Sequence, residues 1–111
     1  MVSRPNASAL PDPLPIRPRA ALHATVRVPG SKSQTNRALV AAALASGETR
    51  LEGGLESDDT AVMIGALRAL GCRIDLRGEA WGVSGLAGKL ASPAAPLDTG
   101  NSGTTARFLT A

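Results

Sequence analysis

The sequence has little of what metal-binding and disulfide-stabilised proteins require. It contains one cysteine, Cys72, and one histidine, His23. A single cysteine excludes an internal disulfide and a cysteine-based zinc site, and one histidine adds almost no capacity for metal. The sequence therefore predicts no metal and no cofactor-binding residue, and a reducing, cytoplasmic location is the expected one.

Aromatic residues and long apolar runs are also scarce. The 111 residues include one Trp, one Phe and no Tyr, although 43% are hydrophobic. A core must therefore be built mainly from Ala, Leu, Val and Ile. The longest apolar run, residues 38–45, is too short to cross a bilayer of about 30 Å. With only two aromatic residues for base stacking and no run of Lys and Arg, nucleic acid is not an expected partner, and neither is a membrane.

Charge is unevenly distributed along the chain. Residues 1–37 hold six basic residues and one acid, whereas residues 38–111 hold six basic residues and eight acids. A modest basic excess near one end suits a small anionic ligand, because such a ligand needs few cations in well-chosen positions.

Prolines divide the chain into two regions. Five of them fall within the first 18 residues, at Pro5, Pro11, Pro13, Pro15 and Pro18. Proline fixes φ and removes a backbone donor, so a continuous helix is excluded there. We expect residues 1–22 to form a flexible, proline-rich leader and residues 23–111 to form the folded part.

Hydrophobic periodicity predicts a mixture of strands and helices. His23 to Val28 alternates between apolar and polar residues, which is typical of a half-buried strand. A helix should begin at Ser31 or Ser33, run to about Ala45 and stop at Gly47. A short strand over Glu48 to Glu52 should follow.

The second half of the pattern is similar. A helix is expected from about Asp59 to Leu70, with Asp58 and Asp59 as N-terminal capping residues and Gly71 at its end. Two strands should follow, Arg73 to Leu76 and Ala80 to Ser84, and a last apolar stretch opens after Gly103. The order strand, helix, strand, helix, strand, strand predicts an α/β (α+β) unit.

Two glycine-containing motifs are candidate anion sites. The first, residues 29–37, reads PGSKSQTNR and leads from the predicted strand into a helix. The second, residues 100–107, reads GNSGTTAR and opens the last helix. Helix N-termini present unpaired N–H groups, and the Lys, Arg and hydroxyl side chains around them favour an anion. For each motif the alternative is a polar helix cap with solvated charges.

Four segments in this order resemble the N-terminal signatures of the 5-enolpyruvylshikimate-3-phosphate synthase family. They are residues 29–39, residues 57–60 (SDDT), Leu70-Gly71, and residues 100–107. The family usually has Ala where this chain has Ser102, and often Pro where it has Phe108. Members are several times longer, so the resemblance implies a truncated N-terminal segment comprising residues 23–111.

The resemblance implies both a fold and an activity. The family fold has two lobes of βαβαββ units, and this chain would supply one incomplete unit, with strand His23 to Val28 in the other lobe and Gly30-Ser31 near the hinge. The full-length enzyme, expected to be a monomer, would transfer the enolpyruvyl group of phosphoenolpyruvate to the 5-hydroxyl of shikimate 3-phosphate, without metal or cofactor, in the shikimate pathway of aromatic amino-acid biosynthesis. The segment alone would be inactive.

The resemblance also implies roles for seven substrate-binding residues. Lys32 would contact both substrates, Ser33 and Arg37 would hold shikimate 3-phosphate, and Gly103 would lie against phosphoenolpyruvate. Three further residues would shape the second loop: Asn101, Thr104 and Arg107. No catalytic acid or base is expected within this segment.

Two alternatives remain open at this stage. One is the related enolpyruvyl transferase that acts on UDP-N-acetylglucosamine, although that enzyme has Gly-Ala-Lys-Asn where this chain has Gly30-Ser31-Lys32-Ser33. The other is a non-catalytic module of the same fold that binds phosphate groups or RNA.

Overall fold

Three helices and a three-stranded sheet make up the structure, a computed structural model that describes residues 11–18 and 20–111. Residues 1–10 and 19 of the predicted leader lie outside the described residues. Within residues 11–18 and 20–30 there is no helix or strand. The elements follow in the order α1 (Lys32–Leu44), β1 (Ser46–Glu52), α2 (Asp58–Ala69), β2 (Arg73–Asp75), β3 (Ala80–Leu86) and α3 (Gly103–Leu109).

Helix α1 begins where its capping residue predicts and ends slightly earlier than expected. Ser31 is the N-cap, and its hydroxyl accepts a hydrogen bond from the Gln34 N–H at 3.4 Å. The helix ends at Leu44 because Ala45 already has extended backbone angles. The prediction that Gly47 stops the helix is therefore wrong: Gly47, with φ +89°, lies within β1.

Helix α2 is capped at both ends by the residues that flank it. Ser57 and Thr60 form a reciprocal capping box, in which each side chain accepts a hydrogen bond from the other residue's N–H. At the other end, the N–H of Gly71 donates to the carbonyl of Arg68, and the N–H of Cys72 donates to the carbonyl of Leu67. This pattern is a Schellman motif, and it requires the positive φ of Gly71, which is 98°.

The sheet is antiparallel with the order β1-β3-β2. The central strand β3 faces the core with Trp81 and Val83, both nearly inaccessible to water. Helices α1 and α2 complete this core with Leu39 and Met63. Cys72 is also buried, and its thiol donates to the carbonyl of Ser84 at 3.3 Å, as expected for a packed residue. Desolvation raises the pKa of that thiol.

Two glycine positions in the core have no space for a side chain. The ring of Trp81 covers Gly54 so closely that a Cβ there would lie 2.9 Å from the ring. A Cβ on Gly85 would lie 2.1 Å from the carbonyl oxygen of Ala45, where the end of α1 crosses β3. Both positions require glycine for space.

The predicted strand from His23 to Val28 is not formed. These residues belong to none of the strands in the described part of the chain. Val26 and Val28 remain 76% and 77% exposed, so the alternating pattern has no core to face here. An extended segment becomes a strand only when a neighbour accepts its backbone hydrogen bonds. The other predicted elements are confirmed, with shifts of one or two residues at their ends.

Candidate functional site

The N-terminal ends of the three helices meet around one cleft of about 810 Å³. We call it the helix-start cleft. Its volume lies within the range of about 300–1,000 Å³ that is typical of small-molecule sites. It is lined by Lys32, Ser33, Arg37, Asp59, Asn101, Gly103, Thr104, Arg107 and Phe108. All seven residues that the sequence nominated are among them, so the two glycine-containing motifs form one site.

Helix α1 contributes the outward-facing half of the first motif. Lys32, Ser33 and Arg37 are exposed, and the last two are four residues apart on one helix face. Of the three residues between Ser33 and Arg37, Thr35 and Asn36 are buried. The helical repeat thus separates the polar residues of the motif into a cleft side and a packing side.

Two threonines set the start of α1 against the start of α2. The hydroxyl of Thr35 donates to the carbonyl of Ser31 and accepts from the N–H of Leu55 at 3.1 Å. The hydroxyl of Thr60 donates to the carbonyl of Leu55 at 2.8 Å. The backbone of Leu55 is therefore held from both helices, which brings the first turns of α1 and α2 together at the cleft.

The second motif is shaped by the cap of its helix. Ser102 is buried and accepts a hydrogen bond from the Thr105 N–H at 3.2 Å. Its hydroxyl also lies 2.7 Å from that of Thr105. This cap begins α3 at Gly103 and directs Thr104 and Arg107 toward the cleft. Phe108 lines the cleft beside them.

Asp59 is the cleft residue whose role the sequence did not reveal. Its carboxylate forms an ion pair with the ammonium of Lys32. Hydrogen bonding from Lys32, with a smaller contribution from the Ser102 hydroxyl, lowers the pKa of the Asp59 carboxyl below its ordinary value of 3.8. The sequence assigned Asp59 to capping because it stands at a helix start. The available signal was that Asp59 belongs to SDDT, one of the four segments that carry the resemblance described above.

The charges of the cleft favour an anion. Three cationic side chains line it, from Lys32, Arg37 and Arg107, against the single carboxylate of Asp59. The start of α1 adds the partial positive charge of its backbone N–H groups. Such an arrangement can bind phosphate and carboxylate groups through charge-assisted hydrogen bonds.

One buried side chain beside the cleft has no hydrogen-bond partner among the described residues. Asn36 is fully buried, and neither its Nδ2 nor its Oδ1 finds a partner there. An unpaired buried amide is costly. Because Asn36 directly precedes Arg37, it lies in the turn of α1 that carries the cleft residues.

Comparison with known proteins finds similar sequences over most of the chain. The family model for EPSP synthase (3-phosphoshikimate 1-carboxyvinyltransferase) matches residues 16–111. A 3-phosphoshikimate 1-carboxyvinyltransferase of Rhodopseudomonas palustris (strain TIE-1) is 50% identical over 100 residues, covering 88% of this chain and 22% of that protein. One from Bradyrhizobium sp. (strain BTAi1 / ATCC BAA-1182) is 47% identical over 106 residues, covering 94% and 24% respectively.

A solved structure shows the same fold. The EPSP synthase from Acinetobacter baumannii matches with a TM-score of 0.72 and 34% sequence identity, over 77% of this chain and 20% of that one. The predicted α+β class is therefore confirmed. The chain spans about a fifth of the length of the relatives it matches. No helix in the described part of the chain is long and apolar enough to cross a membrane.

Proposed function

The chain belongs to the EPSP synthase family, and from this membership we propose that it is the N-terminal part of a 3-phosphoshikimate 1-carboxyvinyltransferase. The reaction joins C2 of phosphoenolpyruvate to the 5-oxygen of shikimate 3-phosphate and releases inorganic phosphate. The observation that best supports this proposal is that both glycine-containing motifs line the helix-start cleft and place three cationic side chains there.

The contribution of this segment is to bind and orient the two anionic substrates. Each substrate carries a phosphate and a carboxylate, so fixed cations and N–H donors stabilise both of them. We assign Lys32 to both substrates, and Ser33 and Arg37 to shikimate 3-phosphate. Gly103 faces phosphoenolpyruvate, in a loop shaped by Asn101, Thr104 and Arg107. These roles are supported by the position of all seven residues on one cleft.

Two further proposals concern the whole protein. A cytoplasmic location is supported by the single, buried Cys72, which needs no oxidising compartment. We also propose that the full-length protein acts as a monomer, with no metal or organic cofactor.

The function can be tested in a chimera with a known relative. In this protein, called the chimera below, residues 16–111 replace the aligned segment of the Rhodopseudomonas palustris transferase. We expect the chimera to release phosphate from phosphoenolpyruvate only when shikimate 3-phosphate is present. Turnover with UDP-N-acetylglucosamine instead would favour the other enolpyruvyl transferase.

The first motif is tested by calorimetry on chimera variants. Arg37→Ala should weaken shikimate 3-phosphate binding by about 1.5–3 kcal/mol, the range for hydrogen bonds to charged groups. Lys32→Ala should weaken binding of both substrates. Lys89→Ala is the matched control, because Lys89 is exposed and does not line the cleft. Unchanged affinity in Arg37→Ala would contradict the assignment.

A further inference from the structure

The three cations of the helix-start cleft are not equivalent before a ligand binds. The ammonium of Lys32 is paired with the carboxylate of Asp59. Within residues 11–18 and 20–111, neither Arg37 nor Arg107 forms an ion pair with a carboxylate. The cation that we assign to both substrates is therefore the one already occupied by an internal anion.

Asp59 is well placed to act as that internal anion. It belongs to the first turn of α2, where the backbone favours a negative charge, and its side chain is only 23% exposed. The Lys32 side chain is 51% exposed, so it has more open space into which to turn. When Lys32 turns to a ligand, the carboxylate is still favoured by its position at the start of α2.

We propose that Asp59 is a specificity-determining residue, which competes with small anions for Lys32 and so reserves the cleft for larger ligands that also engage Arg37 and Arg107. This inference rests on the proposed function. An ion with one anionic group must displace the carboxylate with few compensating contacts. A substrate with both a phosphate and a carboxylate gains contacts with several cations and displaces it readily.

The competition has a consequence for the reaction cycle. Inorganic phosphate is a product of enolpyruvyl transfer, and it is also the small anion most similar to the substrates. When phosphate leaves, Asp59 can pair with Lys32 again and oppose rebinding. Exposed ion pairs change an equilibrium by a factor of about 1.5 to 5, which is sufficient to affect the occupancy of a weakly bound product.

The test measures inorganic phosphate binding by NMR titration of the full 111-residue chain. Asp59→Asn should tighten phosphate binding by about three- to tenfold, because it removes both the competitor and its repulsion of the anion. The matched control is Asp58→Asn. It makes the same charge change one residue earlier, at an exposed position outside the cleft, and should change the affinity by less than about twofold.

A double variant shows whether Asp59 acts through Lys32. In the Lys32→Met background, Asp59→Asn should give at most a small part of that gain, since there is no ammonium left to release. An absent gain in Asp59→Asn would overturn the proposal. An equal gain in Asp58→Asn, or an undiminished gain in the Lys32→Met background, would overturn it too.

A measurement on Asp59 in the wild-type chain tests the proposal even if the variants fail to fold. In the wild-type chain, the ¹³C signal of the Asp59 carboxyl should titrate below its ordinary range, and saturating phosphate should raise the midpoint. An unchanged midpoint in phosphate would count against displacement of Asp59. The proposed function fails separately: if Lys32→Ala left phosphoenolpyruvate affinity in the chimera unchanged, the substrate assignment would fall, whatever the phosphate result.

Discussion

Gly103 lines the helix-start cleft, and none of the described residues around it requires a glycine there. A Cβ at this position would meet no atom within 4 Å, and the residue does not have the positive φ that favours glycine. Neither strain nor crowding within the described chain explains the absence of a side chain. We propose that the space above Gly103 receives phosphoenolpyruvate.

Gly103→Ala in the chimera should therefore separate substrate binding from helix stability. The added methyl group should raise the Michaelis constant for phosphoenolpyruvate by about tenfold, since a methyl-sized change in a pocket is worth about 1–3 kcal/mol. Shikimate 3-phosphate affinity should change by less than about 0.5 kcal/mol. Steady-state kinetics and calorimetry measure the two effects.

Gly65→Ala is the control for this substitution. Gly65 lies in α2, has open space around its Cα and does not line the cleft. It should leave both substrates unaffected and stabilise its helix by up to about 1 kcal/mol. Equal losses for both substrates in Gly103→Ala would indicate that the loop is disrupted and that one ligand is not specifically crowded.

Asn36 gives a second prediction for a single residue. Leucine has the same number of side-chain heavy atoms but no polar groups, so Asn36→Leu should remove the desolvation cost of an unpaired amide. We expect the free energy of unfolding of the 111-residue chain to rise by about 1 kcal/mol in urea titrations. Asn36→Ala, which leaves a cavity, should lower it. A loss of stability in Asn36→Leu would show that the amide has a partner, such as an ordered water.

The packing of α1 on the sheet depends on the close approach of Ala45 to Gly85. The C-terminal end of α1 and strand β3 meet there through backbone atoms, and no side chain lies between them. This contact holds the C-terminal end of α1, while Thr35 holds its N-terminal end at the cleft. The position of the cleft residues on α1 therefore depends on both ends of the helix.

Gly85→Ala should destabilise the chain because its Cβ would meet the Ala45 carbonyl, which is backbone and cannot rotate away. Overpacking of this kind costs about 1–3 kcal/mol. Gly82→Ala is the matched control in the same strand, since its nearest neighbour would be 3.9 Å away. Urea denaturation should show a loss of stability in the first variant and little change in the second. Similar effects in both would indicate a general property of β3.

Local signals explain which elements the sequence could predict. The capping residue Ser31 and the glycine at position 71 act within a few residues, so α1 and α2 were predicted nearly to their ends. The cap of α2 is nevertheless Ser57, and Asp58 and Asp59, which were expected to cap the helix, lie in its first turn. The segment His23 to Val28 has the pattern of a strand, but strand formation depends on a partner elsewhere. Asp59 was missed as a cleft residue for the same reason, because its partner Lys32 belongs to another helix.

At the scale of the whole molecule, the cleft is a surface and not an enclosed chamber. Most of its lining residues are exposed, including Ser33, Arg37, Asn101 and Arg107. The chain accounts for about a fifth of the length of its relatives. A site that leaves its ligands in contact with water can bind anions but does not supply the dry, preorganised surroundings that catalysis requires.

We therefore expect no turnover by the 111-residue chain alone. Incubation with phosphoenolpyruvate and shikimate 3-phosphate should release no phosphate above a protein-free blank, whereas the chimera should be active under the same conditions. A phosphate-release assay makes the comparison directly. Turnover by the isolated chain would mean that the catalytic groups lie within these residues.

The tryptophan that covers Gly54 gives the molecule an optical property of its own. Trp81 is the only tryptophan in the chain, there is no tyrosine, and its side chain is buried in the core. Fluorescence excited in the near ultraviolet therefore arises from one side chain in a dry environment. Its emission should shift to longer wavelength when water reaches the sheet. Because Trp81 does not line the helix-start cleft, this emission shift should report unfolding of the core whether or not an anion is bound.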